Sequence, residues 1–495
     1  MKKNGRIALA LVGCLGTACA VAQSNPNNSA TNAYYGSVQA VAATPGVKQL
    51  TLDDAIRLGI ENNLALTEAR ENQETAKAQT LQALNSLLPN IDVQGSNSLH
   101  QFNLEAEGFR PGLLSSFGSV VPPSEAANFP FIVKVDLTKG QANLSQTLFD
   151  WAAWDKYRVS KSGAKAAYYN AESSRGLVVL NVGTIYLQTL ADGAQLDYAQ
   201  ALLKTDETLL YQAVEEHKAG TAAHLDELRA RVQYQTQQQA VITAENNLEK
   251  DKITLKREIG VPPEQQIQLT DAAPYSDLEA MTIEDAKRKA YASRQDYQAV
   301  QQQLVMADLQ RKEATHERFP TLSFNGNYAV EGIAGGPYHG TFVAAGNLNI
   351  PIFQEGKFRG DRDVAQAQLE NYRSQFADLK NRIDQQLRDS LLDLQTAAEL
   401  VRVARSNVDL STTALQQSTD RFQAGVDDNL PVVQAQSTLA QAQSQYVDSV
   451  RQFNQAKLGL ARNLGVVDTQ YKTYLQGGTP PAVKSKNADQ PQGGR

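Results

Sequence analysis

Arg421-Phe422-Gln423-Ala424-Gly425-Val426, followed by Leu430 and Gln434-Ala435-Gln436, sets an Ala-Gly pair between two helical segments. A weaker copy stands 205 residues earlier as His217-Lys218-Ala219-Gly220-Thr221, followed by Leu225. One Ala-Gly carries nothing. Two at a single offset, each between helical segments, mark a duplicated helix–turn–helix. Glycine has a local reason at both places: a chain reversing between antiparallel helices needs a residue that accepts left-handed backbone.

The duplication extends outward. Gly260-Val261 meets Gly465-Val466 at the same offset, and Leu148-Phe149 meets Ile352-Phe353 at 204. Further upstream, Thr51-Leu52-Asp53-Asp54-Ala55 meets Thr282-Ile283-Glu284-Asp285-Ala286 at 231, and Pro89 meets Pro320. The change in offset gives the first copy 27 extra residues between Gly95 and Leu148, an insertion suited to an exposed loop. Each copy predicts one plan. A helix (52–88; 283–319) begins after a capping Thr and ends before a Pro. A strand pair follows (90–149 with a long loop; 321–353). A long helix (151–218; 356–423), the Ala-Gly turn and a shorter helix (223–259; 430–464) complete the copy. Repeat 1 thus covers 50–260 and repeat 2 covers 282–466, joined by a linker over 261–281. Residues 23–49 and 467–495 read as mobile tails.

The strands are legible because Leu322, Phe324, Gly326, Tyr328 and Val330 alternate with Ser323, Asn325, Asn327 and Ala329. The helices are legible as heptads. Leu387, Leu394, Val401, Val408, Leu415 and Phe422 recur every seven residues, and Ser390, Ala397, Ala404, Ser411 and Ser418 follow each of the first five by three. Val432, Leu439, Tyr446, Phe453 and Leu460 resume the pattern. One large and one small position per heptad suits closely spaced helices packed knobs-into-holes. Copy one follows loosely, with Val182, Leu196, Leu203 and Leu210. A 68-residue helix spans ~100 Å and a 37-residue one ~55 Å, so two short helices end to end match one long helix.

Length and composition set the outer bounds. The chain has 495 residues, a net charge of −6, 42% hydrophobic and 20% charged residues, with a mean hydropathy of −0.41. It is too apolar for wholesale disorder, and it is not basic, so no nucleic-acid partner is expected. No run beyond residue 22 reaches the ~20 apolar residues of a spanning helix, but short alternating strands leave a β-barrel open. Lys2, Lys3 and Arg6 precede an apolar stretch from Ile7 to about Ala20, and Ala20-Val21-Ala22 fits a signal-peptidase site, which predicts a cleaved signal peptide over 1–22. Leu11-Val12-Gly13-Cys14 also resembles a lipobox that would lipidate Cys14, but the apolar core before it is very short. Cys14 and Cys19 are the only cysteines, so the processed chain would hold no disulfide and no thiolate site.

These features together resemble the TolC-like outer membrane efflux protein family, over about residues 50–466. The residues that carry the resemblance are Leu88-Pro89, Phe319-Pro320, Leu148-Phe149-Asp150, Pro351-Ile352-Phe353 and the two Ala-Gly turns with their flanks. The resemblance implies a mixed α and β fold in which coiled-coil helices form a periplasmic α-barrel. It implies a homotrimer whose protomers give four strands each to a 12-stranded barrel in outer membrane lipid. It implies an exit duct of a tripartite efflux pump or a type I secretion system, with a periplasmic adaptor and an inner-membrane transporter as partners. The adaptor-contacting tip would comprise Ala219, Gly220, Thr221, Leu225, Ala424, Gly425, Val426 and Leu430. Pro89 and Pro320 would be helix-to-strand junctions. Four strands cannot close a barrel alone, and open edges are not tolerated in lipid, so assembly is required in any case.

The family often gates its tunnel with aspartates six and nine residues after the tip glycine. Here those places hold Pro431 and Gln434 in copy two, and Asp226 and Arg229 in copy one. Asp226, Asp427 and Asp428 are the candidates for an acidic tunnel entrance instead, and read equally as solvated turn residues. The five histidines (His100, His217, His224, His316 and His339) make no metal-binding spacing, and although His217 and His224 flank one turn, they read as solvated surface, so no metal is expected. No nucleophile elbow, phosphate loop or dinucleotide fingerprint occurs, which predicts no enzymatic activity and no cofactor. Gly335-Gly336-Pro337 reads as a strand-joining turn. The 97–132 loop, with Phe102, Phe109, Phe117, Phe129 and Phe131, reads as a longer outer loop that plugs the mouth or belts the membrane. A periplasmic adaptor is the alternative function; it would show one hairpin between split β-domains.

Overall fold

The computed structural model describes residues 36–38, 43, 45–107, 130, 132–271, 276–278 and 281–476. The signal peptide, Cys14, residues 477–495 and Phe109, Phe117, Phe129 and Phe131 lie outside the described residues. In chain order the elements are β1 (Lys48–Leu50), α1 (Leu52–Asn62), α2 (Leu64–Asn85), β2 (Asn90–Asn103), β3 (Ile132–Phe149), α3 (Trp151–Lys218), α4 (His224–Ile259) and β4 (Ile267–Leu269). The second half holds α5 (Ile283–Ser293), α6 (Gln295–His316), β5 (Thr321–Ile333), β6 (Tyr338–Asn349), α7 (Glu355–Gln423), α8 (Leu430–Asn463) and α9 (Val467–Gln476).

Thr51 caps α1 and Thr282 caps α5, each accepting from the backbone N–H three residues on, with acids in the first turn. Each expected first helix is in fact two. Asn63 and Arg294, 231 residues apart, hold extended backbone (ψ 129° and 121°) and interrupt it. The causes are tertiary. Around Asn63, the Val38 N–H donates to the Asn62 carbonyl and the Leu64 N–H to the Gly36 carbonyl, so an upstream segment docks in the break. At Arg294 the Gly465 backbone packs so closely that a Cβ there would lie 2.6 Å from the Arg294 Cα.

The described residues fall into two compact units. The first lies within Met1–Leu66, Leu177–Ala273 and Thr419–Ala440. Its core gathers Leu50, Ile56, Val178, Val179, Val182, Leu255 and Ile259, none more than 3% exposed. Each such side chain contributes about 1.5–3 kcal/mol relative to exposure. The first helix approaches so closely that a Cβ on Gly59 would meet Val182 Cγ2 at 2.7 Å. β1 pairs in parallel with β4, from Lys48 opposite Ile267 to Leu50 opposite Leu269. The linker expected over 261–281 therefore holds a strand, and the segment expected to be mobile over 23–49 is tied down at 36–38 and 48–49. α3 is long and apolar enough, by length and composition, to cross a membrane. That departs from the expectation that no such run exists; its most apolar part is spent on the buried Val178, Val179, Val182 and Leu187.

The second unit lies within Thr67–Gly176, Pro274–Ser418 and Gln441–Arg495. It holds a four-stranded antiparallel sheet in the order β2-β3-β5-β6. β2 extends to Asn103, so the first part of the expected loop, Phe102 included, is strand. β6 stops at Asn349, short of 353, because Pro351 has no N–H to give the ladder. Ala397, Val401, Val450 and Phe453 form a helix–helix core flanked by Leu394, Tyr446 and Ala456. These are mostly the large and small heptad positions facing each other. In copy one the seam differs: Leu202, Asp206 and Ala213 are buried rather than Leu203 and Leu210. The tail expected to be mobile from 467 begins with α9 instead, whose Val467, Tyr474 and Leu475 are buried. Their i, i+7, i+8 spacing puts one apolar face on a ten-residue helix, and Lys289 donates to the Tyr474 hydroxyl at 3.2 Å.

Candidate functional site

The two Ala-Gly turns end α3 and α7 in the same way. The Thr221 N–H donates to the Glu216 carbonyl at 2.9 Å and the Gly220 N–H to the His217 carbonyl at 3.0 Å. In the second turn the Val426 N–H reaches the Arg421 carbonyl at 3.0 Å and the Gly425 N–H the Phe422 carbonyl at 2.9 Å. This pair of bonds is the Schellman closure, which requires left-handed backbone at the glycine. Gly220 and Gly425 supply it with φ of 76° and 68°. Beyond the glycines, Leu225 is 55% exposed, Val426 64% and Leu430 39%.

The turns touch each other within the first unit. The Asn429 side-chain amide donates to the Asp226 carbonyl at 2.8 Å. Arg229 lies 3.3 Å from Asp226 and 3.4 Å from Asp428. Arg421 lies 2.6 Å from Asp427 and holds that carboxyl below its ordinary range. The three candidate entrance acids are thus brought together, but each with a guanidinium. Behind them, a cavity of about 10 Å³ is lined by Asp206, Ala230, Gln233, Phe422, Asn429, Val432 and Gln436, among others. Burial pushes the Asp206 carboxyl up to about 6. Asp206 Oδ1, Asn429 Oδ1 and both amide atoms of Gln436 are buried without a hydrogen-bond partner among the described residues.

The first turn also brings His217 onto two groups that lie one helical turn apart on α4, His224 and Glu227. The rings of His217 and His224 lie 4.9 Å apart, centre to centre. Glu227 Oε2 stands 3.5 Å from His224 Nδ1 and 3.9 Å from His217 Nε2. Sequence reading found the two histidines; it missed Glu227, whose only signal is its place one helical turn after His224.

In the second unit the sheet has two unlike faces. Along one, the register aligns Ile91 with Leu144, Val93 with Ala142, Tyr328 with Ala142 and Phe342, and Leu322 with Leu348. On the other, Asn143 donates to Asp92 at 2.8 Å and Lys139 pairs with Glu331 at 3.7 Å. Strands β2 and β6 are the outer strands of the order. Pro89 and Pro320 are exposed just before β2 and β5. Aromatic side chains collect at these junctions: Phe149, Trp151, Trp154 and Phe319 are each 43–47% exposed. Trp151 and Trp154 are the only tryptophans in the chain.

A family model for outer membrane efflux proteins matches residues 55–261 and 286–466, the two copies in turn. The chain belongs to that family. Pyoverdine export outer membrane protein OpmQ of Pseudomonas putida is 25% identical over 84% of this chain and 85% of its own length. Outer membrane protein TolC of Escherichia coli is 21% identical over 68% of this chain and 71% of its own length. The CmeC outer membrane channel of Campylobacter jejuni superposes with a TM-score of 0.69 at 18% identity, covering 86% of this chain and 87% of that one. The fold is accordingly TolC-like, and the function is that of an outer membrane efflux channel. The adaptor alternative does not fit two helix–turn–helix copies feeding one continuous sheet.

Proposed function

We propose that this efflux protein works as a trimer in which three four-stranded sheets close a 12-stranded barrel, and that its tip turns receive a periplasmic adaptor of a tripartite pump. The observation that carries the reading is the sheet: one apolar face runs across all four strands, and its order leaves β2 and β6 at the edges. An open edge in lipid leaves backbone groups unsatisfied at several kcal/mol each, so copies must pair β2 with β6. A barrel of twelve strands is wider than the eight-stranded size that side chains fill, and leaves a lumen. The apolar face meets lipid and the face bearing Asp92, Asn143 and Lys139 lines the passage. Trp151, Trp154 and the neighbouring aromatics sit at the membrane–water boundary, where amphipathic rings are favoured. The leader ends at Ala22, and the protein is delivered across the inner membrane before it assembles.

Leu225, Val426 and Leu430 give the adaptor an apolar contact, and Ala219, Gly220, Thr221, Ala424 and Gly425 let it approach the backbone. Asp226, Asp427 and Asp428 line the entrance. Because Arg229 and Arg421 oppose them, each protomer contributes about one net negative charge there, and cation attraction at the mouth is modest. Substrate is chosen upstream by the inner-membrane transporter, and the duct itself is passive.

Native mass spectrometry and planar-bilayer conductance test the assembly. A trimer with a conducting state is expected; a monomer in detergent that never conducts sinks the reading. Tip contact is tested by a cysteine at Val426, in a chain whose only native cysteines are Cys14 and Cys19. A cross-link to the adaptor is expected from Val426→Cys and not from an α3 surface site such as Tyr168→Cys. Equal yields from both would remove the tip assignment.

A further inference from the structure

The first tip turn carries chemistry that export does not use. His217 is the penultimate residue of α3, His224 is the first of α4, and Glu227 lies one turn further along α4. The Schellman closure at Gly220 folds the chain back so that these three side chains face one another. Their ligand atoms all lie within 4.8 Å of one another. Tetrahedral coordination at ~2.1 Å sets ligands ~3.4 Å apart, so the three need to close by at most about an ångström and a half. The His217 and His224 side chains are 39% and 61% exposed and can swing that far.

The surroundings orient the set. His217 Nδ1 faces the Ala222 carbonyl at 3.4 Å. A carbonyl only accepts, so in that contact Nδ1 carries the proton, and a neutral His217 ring then offers its Nε2 lone pair on the side of Glu227. Metal-bound histidines are held by this same kind of outer contact. Arg231 Nη2 donates to Glu227 Oε1 at 2.6 Å, which occupies one carboxylate oxygen and leaves Oε2 for the imidazoles. Glu227 is buried, with a residue exposure of 9%, so its carboxylate is fixed rather than free to rotate.

We propose that His217 Nε2, His224 Nδ1 and Glu227 Oε2 form a binding site for a borderline divalent transition-metal ion, Zn²⁺ or one of its Co²⁺, Ni²⁺ and Cu²⁺ neighbours. Two imidazoles and one carboxylate select such ions over Mg²⁺ and Ca²⁺, which prefer all-oxygen shells. Three protein ligands leave the remaining position to water or to a group from another molecule. The site belongs to one repeat only: at the 205-residue offset, the second turn carries Phe422, Asn429 and Val432. Occupancy is therefore one ion per protomer, and it clasps the end of α3 to the start of α4. The site lies within one turn of one protomer, so it does not depend on how the chain assembles.

The test is calorimetric titration of tag-free, full-length protein in detergent with zinc chloride, and with cobalt chloride for its visible absorption. One Zn²⁺ per protomer is expected, with a tetrahedral Co²⁺ spectrum. His217→Gln and His224→Gln should each weaken binding by more than about 100-fold, beyond the 10–100-fold that loss of an outer partner costs. Glu227→Gln should weaken Zn²⁺ more than it weakens Cu²⁺, whose affinity for nitrogen ligands is greater. Both histidine variants should stay close to the parent's melting temperature without metal, since the side chains are 39% and 61% exposed. Absence of stoichiometric Zn²⁺ binding by the parent overturns the proposal. So does binding that survives in the double His217→Gln, His224→Gln protein, which would place the ion at His100, His316 or His339.

Discussion

The two tip turns share a backbone, an alanine before the glycine and a leucine five residues after it, and differ at the places that flank them. Both close by the same two hydrogen bonds over a left-handed glycine. Behind the first glycine stand His217, His224 and Glu227; behind the second, the matching places hold Phe422, Asn429 and Val432. The first turn carries two partly exposed imidazoles over a buried carboxylate. The second buries Val432 to 1% and lines the cavity beside Asp206 with Phe422 and Val432. Duplication preserved what the reversal requires of the backbone and released the side chains to diverge. The second turn packs against the first hairpin, and the first carries the proposed metal site.

The sharpest break between them is expected in stability. Val432→Ala should destabilise the protein by about 2 kcal/mol, since it removes two buried methyl groups and leaves a cavity. His224→Ala, at the neighbouring depth of the first turn, should cost less than about 0.5 kcal/mol in metal-free buffer. Chemical denaturation of both variants checks the contrast. Equal costs would mean that the first turn is also a packing element.

The next effect is pH-dependent and comes from Asp206, in the same cavity. Its folded carboxyl titrates near 6 rather than 3.8, because burial disfavours the charge and only Gln233 offsets it. The folded state therefore holds the proton more tightly than the unfolded state. Stability is highest below about pH 4 on this account and falls as pH rises to about 6. Asp206→Asn keeps an acceptor for Gln233 and removes the charge. It should stabilise the protein on the order of 1–2 kcal/mol at pH 7 and flatten the decline between pH 4 and 6. A variant whose melting curve keeps the parent's pH slope would assign that slope to another group.

Much of this contrast was legible in sequence, and the exceptions have a common cause. The glycines were legible because a left-handed turn admits few other residues. The α7–α8 seam was legible because Leu394, Val401, Tyr446 and Phe453 repeat at heptad spacing. The sheet's two faces were legible because alternation has period two. The breaks at Asn63 and Arg294 were not, since neither residue is a helix breaker; a docked segment at 36–38 and the close approach of Gly465 impose them. α9 was hidden by brevity, its three buried residues sitting ahead of a polar tail. Glu227 was hidden because its partner His217 meets it only across the turn. Strong local signals were legible, the loose heptad of copy one misplaced its buried positions at Leu203 and Leu210, and what long-range contacts decide was not legible.

The glycines are the control on the comparison, because here the two turns should behave alike. Gly220→Ala and Gly425→Ala each place a Cβ on left-handed backbone, at a cost of about 1 kcal/mol. Among the described residues, none other than the chain neighbours lies within 4 Å of either new Cβ, so strain is the main contribution. Denaturant midpoints should shift equally within error. A larger shift at Gly425 would mean that the packed turn cannot relax its φ, and would tie backbone strain to the side chains behind it.

The smallest effect probes the link between the turns. Arg229 bridges Asp226 in its own turn, at 3.3 Å, and Asp428 in the other, at 3.4 Å. The side chains are 31%, 18% and 54% exposed, so each contact is solvated and screened, and is worth no more than about 0.5–1 kcal/mol. The two acids are not equivalent. Asp226 keeps Arg229 as an i,i+3 neighbour whatever the second turn does, whereas among the described residues Asp428 forms an ion pair with Arg229 alone. Arg229→Gln should therefore loosen both turns, and Asp428→Asn only the second. Hydrogen exchange would show this as a several-fold rise in the amides of 424–430 in either variant, with 219–226 responding only to Arg229→Gln. At 1 M salt the Debye length is about 3 Å, less than either separation, and the difference between variants and parent should shrink toward zero. If exchange rises equally in both turns after Asp428→Asn, the turns open as one body, and the division between a packing turn and a binding turn holds for chemistry but not for motion.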